Sequence, residues 1–194
     1  MSKRIAEIVG NDNPGVDEIV TLLKSEGKEK AALFRKSAEV KEKYVGNKVY
    51  YRGLIEFSNI CQKNCLYCGI RKDNNEVDRY NLSDDEILSA ARFAIENNWG
   101  SIALQSGEIE HAGFSDRITR LLNKITKMSG GKLGITISLG EQEEDVYREW
   151  FKAGAHRYLL RIETSNRNLY AKLHPVDGSH NFDRRISCLK SLRE

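Results

Sequence analysis

No apolar run in the sequence approaches the roughly 20 residues needed to span a bilayer, so no transmembrane segment is expected. The opening residues, MSKRIAEIVGNDNPG, lack the apolar core and small-residue cleavage site of a signal peptide. A cytoplasmic protein is therefore expected. A strong excess of one charge is missing too: 31 Lys and Arg face 28 Asp and Glu, a net of +3 with His neutral. Nucleic acid and other polyphosphates call for a basic bias or stripe, and that balance argues against them. No Gly-x-Gly-x-x-Gly follows the first expected strand, which speaks against a dinucleotide-binding Rossmann fold. No G-x4-GK-[ST] run occurs, and no segment is of low complexity. What remains is 194 residues, 40% hydrophobic and 30% charged. That suits one or two soluble globular domains and is too apolar for a disordered chain.

Cysteine is scarce, with four residues, but three of them crowd together in Asn59-Ile60-Cys61-Gln62-Lys63-Asn64-Cys65-Leu66-Tyr67-Cys68-Gly69. Thiols stay reduced in the cytosol, so metal ligation is a better reading than a disulfide. Structural zinc closes its tetrahedron with four protein ligands, and ordinary iron–sulfur ferredoxins use four thiolates. Three local thiols point to a cubane cluster with one open position, where a substrate can bind. Zinc completed by Cys188 or a His, or unligated thiols, are the alternatives.

The rest reads as alternating elements. Helical patterns open the chain near Val16–Ser25 and Glu29–Tyr44. A strand follows over Val49–Phe57 and runs into the cysteine loop. Ser83-Asp84-Asp85-Glu86 is a capping box that starts a helix to about Asn97, with Ile87, Leu88, Ala91 and Ile95 facing inward. The pattern then gives a strand at Ser101–Gln105 and a helix at Phe114–Lys127 that buries Ile118, Leu121, Leu122 and Ile125. A strand at Gly134–Leu139 and a helix at Glu143–Lys152 come next. A strand at Arg157–Glu163 and short helices at Asn168–Leu173 and Asp183–Leu192 close the series. Strand then helix, repeated, predicts an α/β fold with a parallel sheet. A doubly wound sheet and a barrel both satisfy it.

Polar residues collect at the strand ends, where barrel active sites lie. The second strand ends in Gln105, Ser106 and Glu108. The third carries Thr136 and Ser138 on one face, and the fourth Arg161 and Glu163 on one face. The last pair is read as ligand-binding or as a buried ion network. His111, His156 and His174 are expected at the surface or in turns. Cys188 is expected to be a buried core thiol, and Trp99 and Trp150 to be packing groups at helix ends.

A C-x3-C-x-aromatic-C run after a first strand resembles the radical S-adenosylmethionine (SAM) enzymes. Within their biotin synthase-like group, the chain resembles the HydE family of FeFe-hydrogenase maturases. The stretches that carry this are Tyr44-Val45-Gly46, Ile55-Glu56-Phe57-Ser58-Asn59, Lys63-Asn64-Cys65-Leu66-Tyr67-Cys68-Gly69, Leu104-Gln105-Ser106-Gly107-Glu108, Ser138-Leu139-Gly140-Glu141 and Tyr158-Leu159-Leu160-Arg161 with Glu163-Thr164. The resemblance implies a (β/α) barrel of the radical SAM/TIM type. It implies that Cys61, Cys65 and Cys68 ligate a 4Fe-4S cluster whose open iron is chelated by SAM. Tyr67 would lie beside the adenine, and Ser106, Gly107 and Glu108 against the methionyl amino group. Ser138 and Glu163 match SAM-contact positions, with Arg161 on the same strand. Arg185 matches an arginine that pairs with the SAM carboxylate, and its neighbour Arg184 should face elsewhere. The implied activity is reductive SAM cleavage to a 5′-deoxyadenosyl radical, used in assembling the hydrogenase diiron cofactor. The implied partners are a small-molecule or organometallic iron substrate, a ferredoxin or flavodoxin electron donor and the other maturases. After Glu108 the chain reads Ile109-Glu110-His111-Ala112-Gly113, departing from the family's acidic-Pro-aromatic run.

Three rival readings stand beside it. A biotin synthase-like enzyme needs further cysteines inside the barrel, yet Ser106 and Gly140 occupy the ends of strands two and three. A methylornithine synthase-like mutase is nearer. A zinc-stabilised, non-catalytic binding module comes from a different class. An eight-stranded barrel takes about 200–250 residues or more, so residues 1–45 are expected to form a helical leader and 46–194 the N-terminal half of a barrel.

Overall fold

The computed structural model describes residues 3–193. Two compact units divide between Val49 and Tyr50. The first holds α1 (Lys3–Gly10), α2 (Val16–Leu23) and α3 (Gly27–Val45). The pattern reading missed α1. Packing on α2 and α3 stabilises it, with Ile5 and Ile8 buried. The Glu18 carboxylate accepts the Gly15 amide at 2.8 Å and fixes the start of α2.

The second unit runs β1 (Arg52–Ser58), α4 (Asp84–Glu96), β2 (Ser101–Ser106), α5 (Ala112–Met128), β3 (Gly134–Ser138), α6 (Glu144–Lys152), β4 (Ala155–Tyr158), α7 (Arg167–Leu173) and α8 (Phe182–Ser191). All three strand pairs are parallel, in the order β1-β2-β3-β4. Sequential order with a helix after each strand is the winding of a barrel; a doubly wound sheet reverses its strand order. The capping box forms as read: Ser83 Oγ accepts the Glu86 amide at 3.3 Å, and Glu86 accepts the Ser83 amide at 2.7 Å.

One face of the sheet carries the core. Ile55, Phe57, Ile102, Leu104, Ile135 and Ile137 pack against Ile87, Ala91 and Ala94 of α4, Ile118, Leu121, Leu122 and Ile125 of α5, and Trp150 of α6. Each such aliphatic side chain contributes about 1.5–3 kcal/mol on burial, so this face fixes the strand register. The opposite face is open at β1, with Leu54 58% exposed, and closes at β3, where Thr136 is buried. That inside-versus-outside split is the one a barrel makes. Among the described residues no helix is long and apolar enough to cross a membrane.

The fourth strand corrects the sequence reading. It starts at Ala155 and ends at Tyr158, so Arg161 and Glu163 lie beyond it and are exposed. They form neither a strand face nor a buried ion network. Tyr158 already pairs with Ile137, and β3 ends one residue later at Ser138. Apart from the Leu159 amide, which reaches the Ile137 carbonyl at 2.8 Å, no ladder remains to hold the chain extended. Glu163 then adopts a left-handed backbone with φ 60°.

Candidate cofactor site

The cysteine loop leaves the C-terminal end of β1 and is held by its own side chains. Ser58 Oγ donates to the Tyr80 carbonyl at 3.0 Å and accepts the Ile60 amide at 3.2 Å. Asn59 bridges to the Asp78 carbonyl and the Tyr80 amide. The Arg79 guanidinium donates to four carbonyls: Asn59 at 2.7 Å, Ile70 at 3.0 Å, Arg71 at 2.7 Å and Asn74 at 3.0 Å. Five fixed donors on one planar group let a single side chain gather a loop that has no secondary structure.

Cys61, Cys65 and Cys68 are free thiols, half-buried within that loop. The Cys68 amide donates to the Cys65 carbonyl at 3.0 Å, which turns the chain between the two. Cys61 Sγ accepts the backbone amides of Lys63 at 3.4 Å and of Glu108 at 3.3 Å. Burial pushes the Cys61 thiol up, with those amides pulling the other way. Burial also raises Cys65, where a hydrogen bond from Tyr67 and the charge of Arg185 oppose it. The β2 end closes on the loop through Gly107, where a Cβ would lie 2.1 Å from the Ile60 carbonyl oxygen and 2.7 Å from Cys61 Cβ. Only glycine fits there.

Behind the thiols stand four buried charges. Lys63 Nζ lies 2.9 Å from Glu141 Oε2 and 3.1 Å from Glu108 Oε1, and also donates to the Ser179 carbonyl. Arg185 Nε donates to Glu141 Oε1 at 2.6 Å, and Arg185 Nη2 to Glu108 Oε2 at 3.2 Å. Two cations and two carboxylates sum to zero, which is how charges are tolerated in the interior. The partners are unequal. Burial would raise Glu141, but Arg185 and Lys63 outweigh it and hold the carboxyl below its ordinary value. At Glu108 burial wins and the carboxyl is raised. Burial would lower Lys63 and Arg185, yet the two carboxylates, Glu108 foremost, raise both. Glu108 Oε1 is ion-paired with the Lys63 ammonium, while its Oε2 takes Arg185. Gly140, at φ +81°, allows this packing, because a Cβ there would fall 2.0 Å from Glu108 Cγ.

Tyr67, Glu108 and Arg185 are thus brought together with the three thiols. Burial raises the Tyr67 hydroxyl, with Cys65 and Glu163 adding to the shift, so the exposed Glu163 lies within electrostatic reach of it. Ser106 Oγ donates to the Gly107 carbonyl at 2.7 Å. Ser138 is half-buried at the end of β3, opposite Gln105. Arg161 contributes its carbonyl, which accepts from Arg185 Nη1 at 3.0 Å. Arg184 faces away to Glu110 and, at 3.1 Å, Glu143. Cys188 is buried with Tyr147 and Leu160, and its Sγ contacts the Gln142 carbonyl at 3.5 Å, so it completes no set with the other thiols.

His174 lies in the bend that ends α7, within its expected range of places, but buried rather than at the surface. It is 5% exposed, stacks on Tyr170 at 4.0 Å and meets the Tyr67 hydroxyl at 3.1 Å. Sequence reasoning also missed Lys63, Glu141 and His180. Lys63 and Glu141 lie inside stretches that carried the resemblance, but a lone Lys or Glu in a loop has no periodicity to mark it as buried. His111 caps α5, accepting the Phe114 amide at 3.0 Å, and His156 is exposed.

The donor set fits a three-thiolate cluster with an open iron position. The Glu108 carboxylate and the Arg185 guanidinium beside it offer the opposite charges that an amino acid's ammonium and carboxylate need. Comparison with known proteins agrees. The radical SAM superfamily profile matches residues 55–194. The chain is 45% identical over 163 residues to the [FeFe] hydrogenase maturase subunit HydE of Thermotoga maritima, covering 84% of this chain and 45% of that protein. It is 30% identical over 159 residues to 3-methylornithine synthase of Methanosarcina acetivorans, covering 81% and 45%. A crystal structure of methylornithine synthase matches in fold with a TM-score of 0.79 at 23% identity, covering 98% of this chain and 56% of that one. The chain spans about half the length of the curated relatives it matches. From the cysteine loop to its last helix, it belongs to the radical SAM superfamily.

Proposed function

We propose that the protein is a radical SAM enzyme of FeFe-hydrogenase maturation, holding a 4Fe-4S cluster at Cys61, Cys65 and Cys68. The observation that carries this reading is the three-thiol loop closed against the Glu108–Arg185 pair, with Cys61 Sγ accepting the Glu108 amide at 3.3 Å and Arg185 Nη2 on Glu108 Oε2 at 3.2 Å. When bound, the cluster and SAM supply one-electron cleavage of the sulfonium S–C5′ bond, giving methionine and a 5′-deoxyadenosyl radical. The chain's own residues bind and orient. Glu108 accepts the methionyl ammonium, and Arg185 presents its fork to the carboxylate. Tyr67 flanks the adenine, with Ser106, Gly107, Ser138 and Glu163 lining the SAM cleft and Arg161 at its edge. The backbone amides of Lys63 and Glu108 fix Cys61 as a ligand. Residues 3–45 serve as a helical leader to four strand–helix units of the barrel.

The 45% identity to a hydrogenase maturase supports a substrate in diiron-cofactor assembly, with the other maturases and a ferredoxin or flavodoxin as partners. The test is anaerobic reconstitution with iron and sulfide, followed by addition of dithionite and SAM. A brown chain holding about four irons and releasing 5′-deoxyadenosine is expected. A chelator-stripped chain that stays colourless after iron and sulfide are supplied overturns the reading. The 30% identity to 3-methylornithine synthase favours a mutase as the second reading, which production of 3-methylornithine by the reconstituted protein would establish.

A further inference from the structure

A second group of donors flanks Cys65. Its thiol and one ring nitrogen from each of His174 and His180 all lie within 4.8 Å of one another. The rings are 4.9 Å apart, His174 is 5% exposed, and the His180 side chain is 1% exposed. His174 Nδ1 donates to the Tyr170 carbonyl at 2.9 Å, which leaves the lone pair on Nε2, 3.1 Å from the Tyr67 hydroxyl. Metal-ligating histidines are held in this way, one nitrogen tied to a carbonyl and the other turned to the ion. His180 Nε2 accepts the Asn64 amide at 3.1 Å and lies 3.9 Å from Asp177 Oδ2. Its buried Nδ1 has no hydrogen-bond partner among the described residues. With Nε2 accepting, Nδ1 carries the ring proton and is a buried donor without an acceptor; moving that proton to Nε2 frees the Nδ1 lone pair.

We propose that the iron-free chain binds one divalent transition ion of the zinc class at Cys65, His174 and His180. One thiolate and two imidazoles suit such an ion, and three protein donors leave a fourth position for water or the Tyr67 hydroxyl. Binding releases the Cys65 thiol proton to solvent and changes no oxidation state. His180 carries its remaining proton on Nε2, facing the Asp177 carboxylate in place of the Asn64 amide, and gives Nδ1 to the ion. Cys61 and Cys68 take no part. The ion claims a thiolate that a cluster would need, so the two occupants are mutually exclusive. This goes beyond the SAM reading and does not depend on it.

The test is titration of the chelator-stripped chain with Co2+ under anaerobic conditions. The expected result is one equivalent bound, tetrahedral visible bands and a charge-transfer band with the intensity of a single thiolate. His180→Ala and His174→Ala should each weaken Co2+ binding by roughly tenfold or more, while Cys61→Ser and Cys68→Ser retain it. Zn2+ should displace Co2+ and bleach its visible bands. A band with three-thiolate intensity, loss of binding in Cys61→Ser, or no binding by the wild-type chain each overturns the proposal. The band intensity of the wild-type chain decides the matter even where a histidine variant misfolds.

Discussion

The fully buried carboxylate of Glu141 accepts Arg185 Nε at 2.6 Å, while its second oxygen takes the Lys63 ammonium at 2.9 Å. One side chain from the β3–α6 turn therefore anchors the cation of the cysteine loop and that of α8. Removing one member of a buried charge group leaves the others uncompensated. Glu141→Gln should cost about 3–5 kcal/mol, read by chemical denaturation with the fluorescence of buried Trp150. A loss under about 1 kcal/mol would mean that solvent reaches the quartet and screens it.

The two carboxylates predict opposite pH slopes. Glu141 is held below its ordinary value of 4.5, so below that pH its unfolded form binds more protons than its folded form. Stability then rises with pH in that window, and its contribution is lost as pH falls through the depressed folded value. Glu108 is raised above 4.5, so there the folded form binds more protons and stability falls as pH increases. Glu141→Gln should flatten the acid limb and Glu108→Gln the limb just above it, in unfolding curves collected across pH.

Gly107 admits no side chain where β2 meets the cysteine loop. Gly107→Ala must push Ile60 and Cys61 aside, at a cost of about 1–3 kcal/mol. Iron content after reconstitution should drop with it. Ala at Gly69, where a Cβ meets nothing within 4 Å, should leave iron content unchanged.

Arg79 gathers the loop without being part of the core. Arg79→Ala should speed amide exchange across residues 59–80 by about tenfold or more, since a hydrogen bond from a charged group contributes roughly 1.5–3 kcal/mol. Exchange in β2 and α5 should not change. Uniform acceleration over the whole unit would assign Arg79 to global stability instead.

Adjacent arginines separate binding from surface charge. Arg185→Lys keeps a charge but loses the fork, and should weaken SAM binding by roughly tenfold or more. Arg184→Lys, facing Glu110 and Glu143, should bind SAM as the wild type does. Calorimetric titration of each variant with SAM checks the pair.

The sequence by itself determined whatever is written in periodicity or local chemistry. The inward stripe of α5, the Ser83 cap and the alternation of strand and helix all follow from neighbouring residues. So does the three-thiol loop, because its ligands lie within one short segment. Tertiary structure decided what depends on partners distant in sequence. β4 ends at Tyr158 because β3 offers nothing further to pair with, although the residues beyond it favour a strand. Arg161 and Glu163 are exposed for that reason. Lys63, Glu141, His174 and His180 are ordinary polar residues until the barrel winding brings the β1 loop, the β3 turn and the α7–α8 segment together. Burial then makes each charge require its partner.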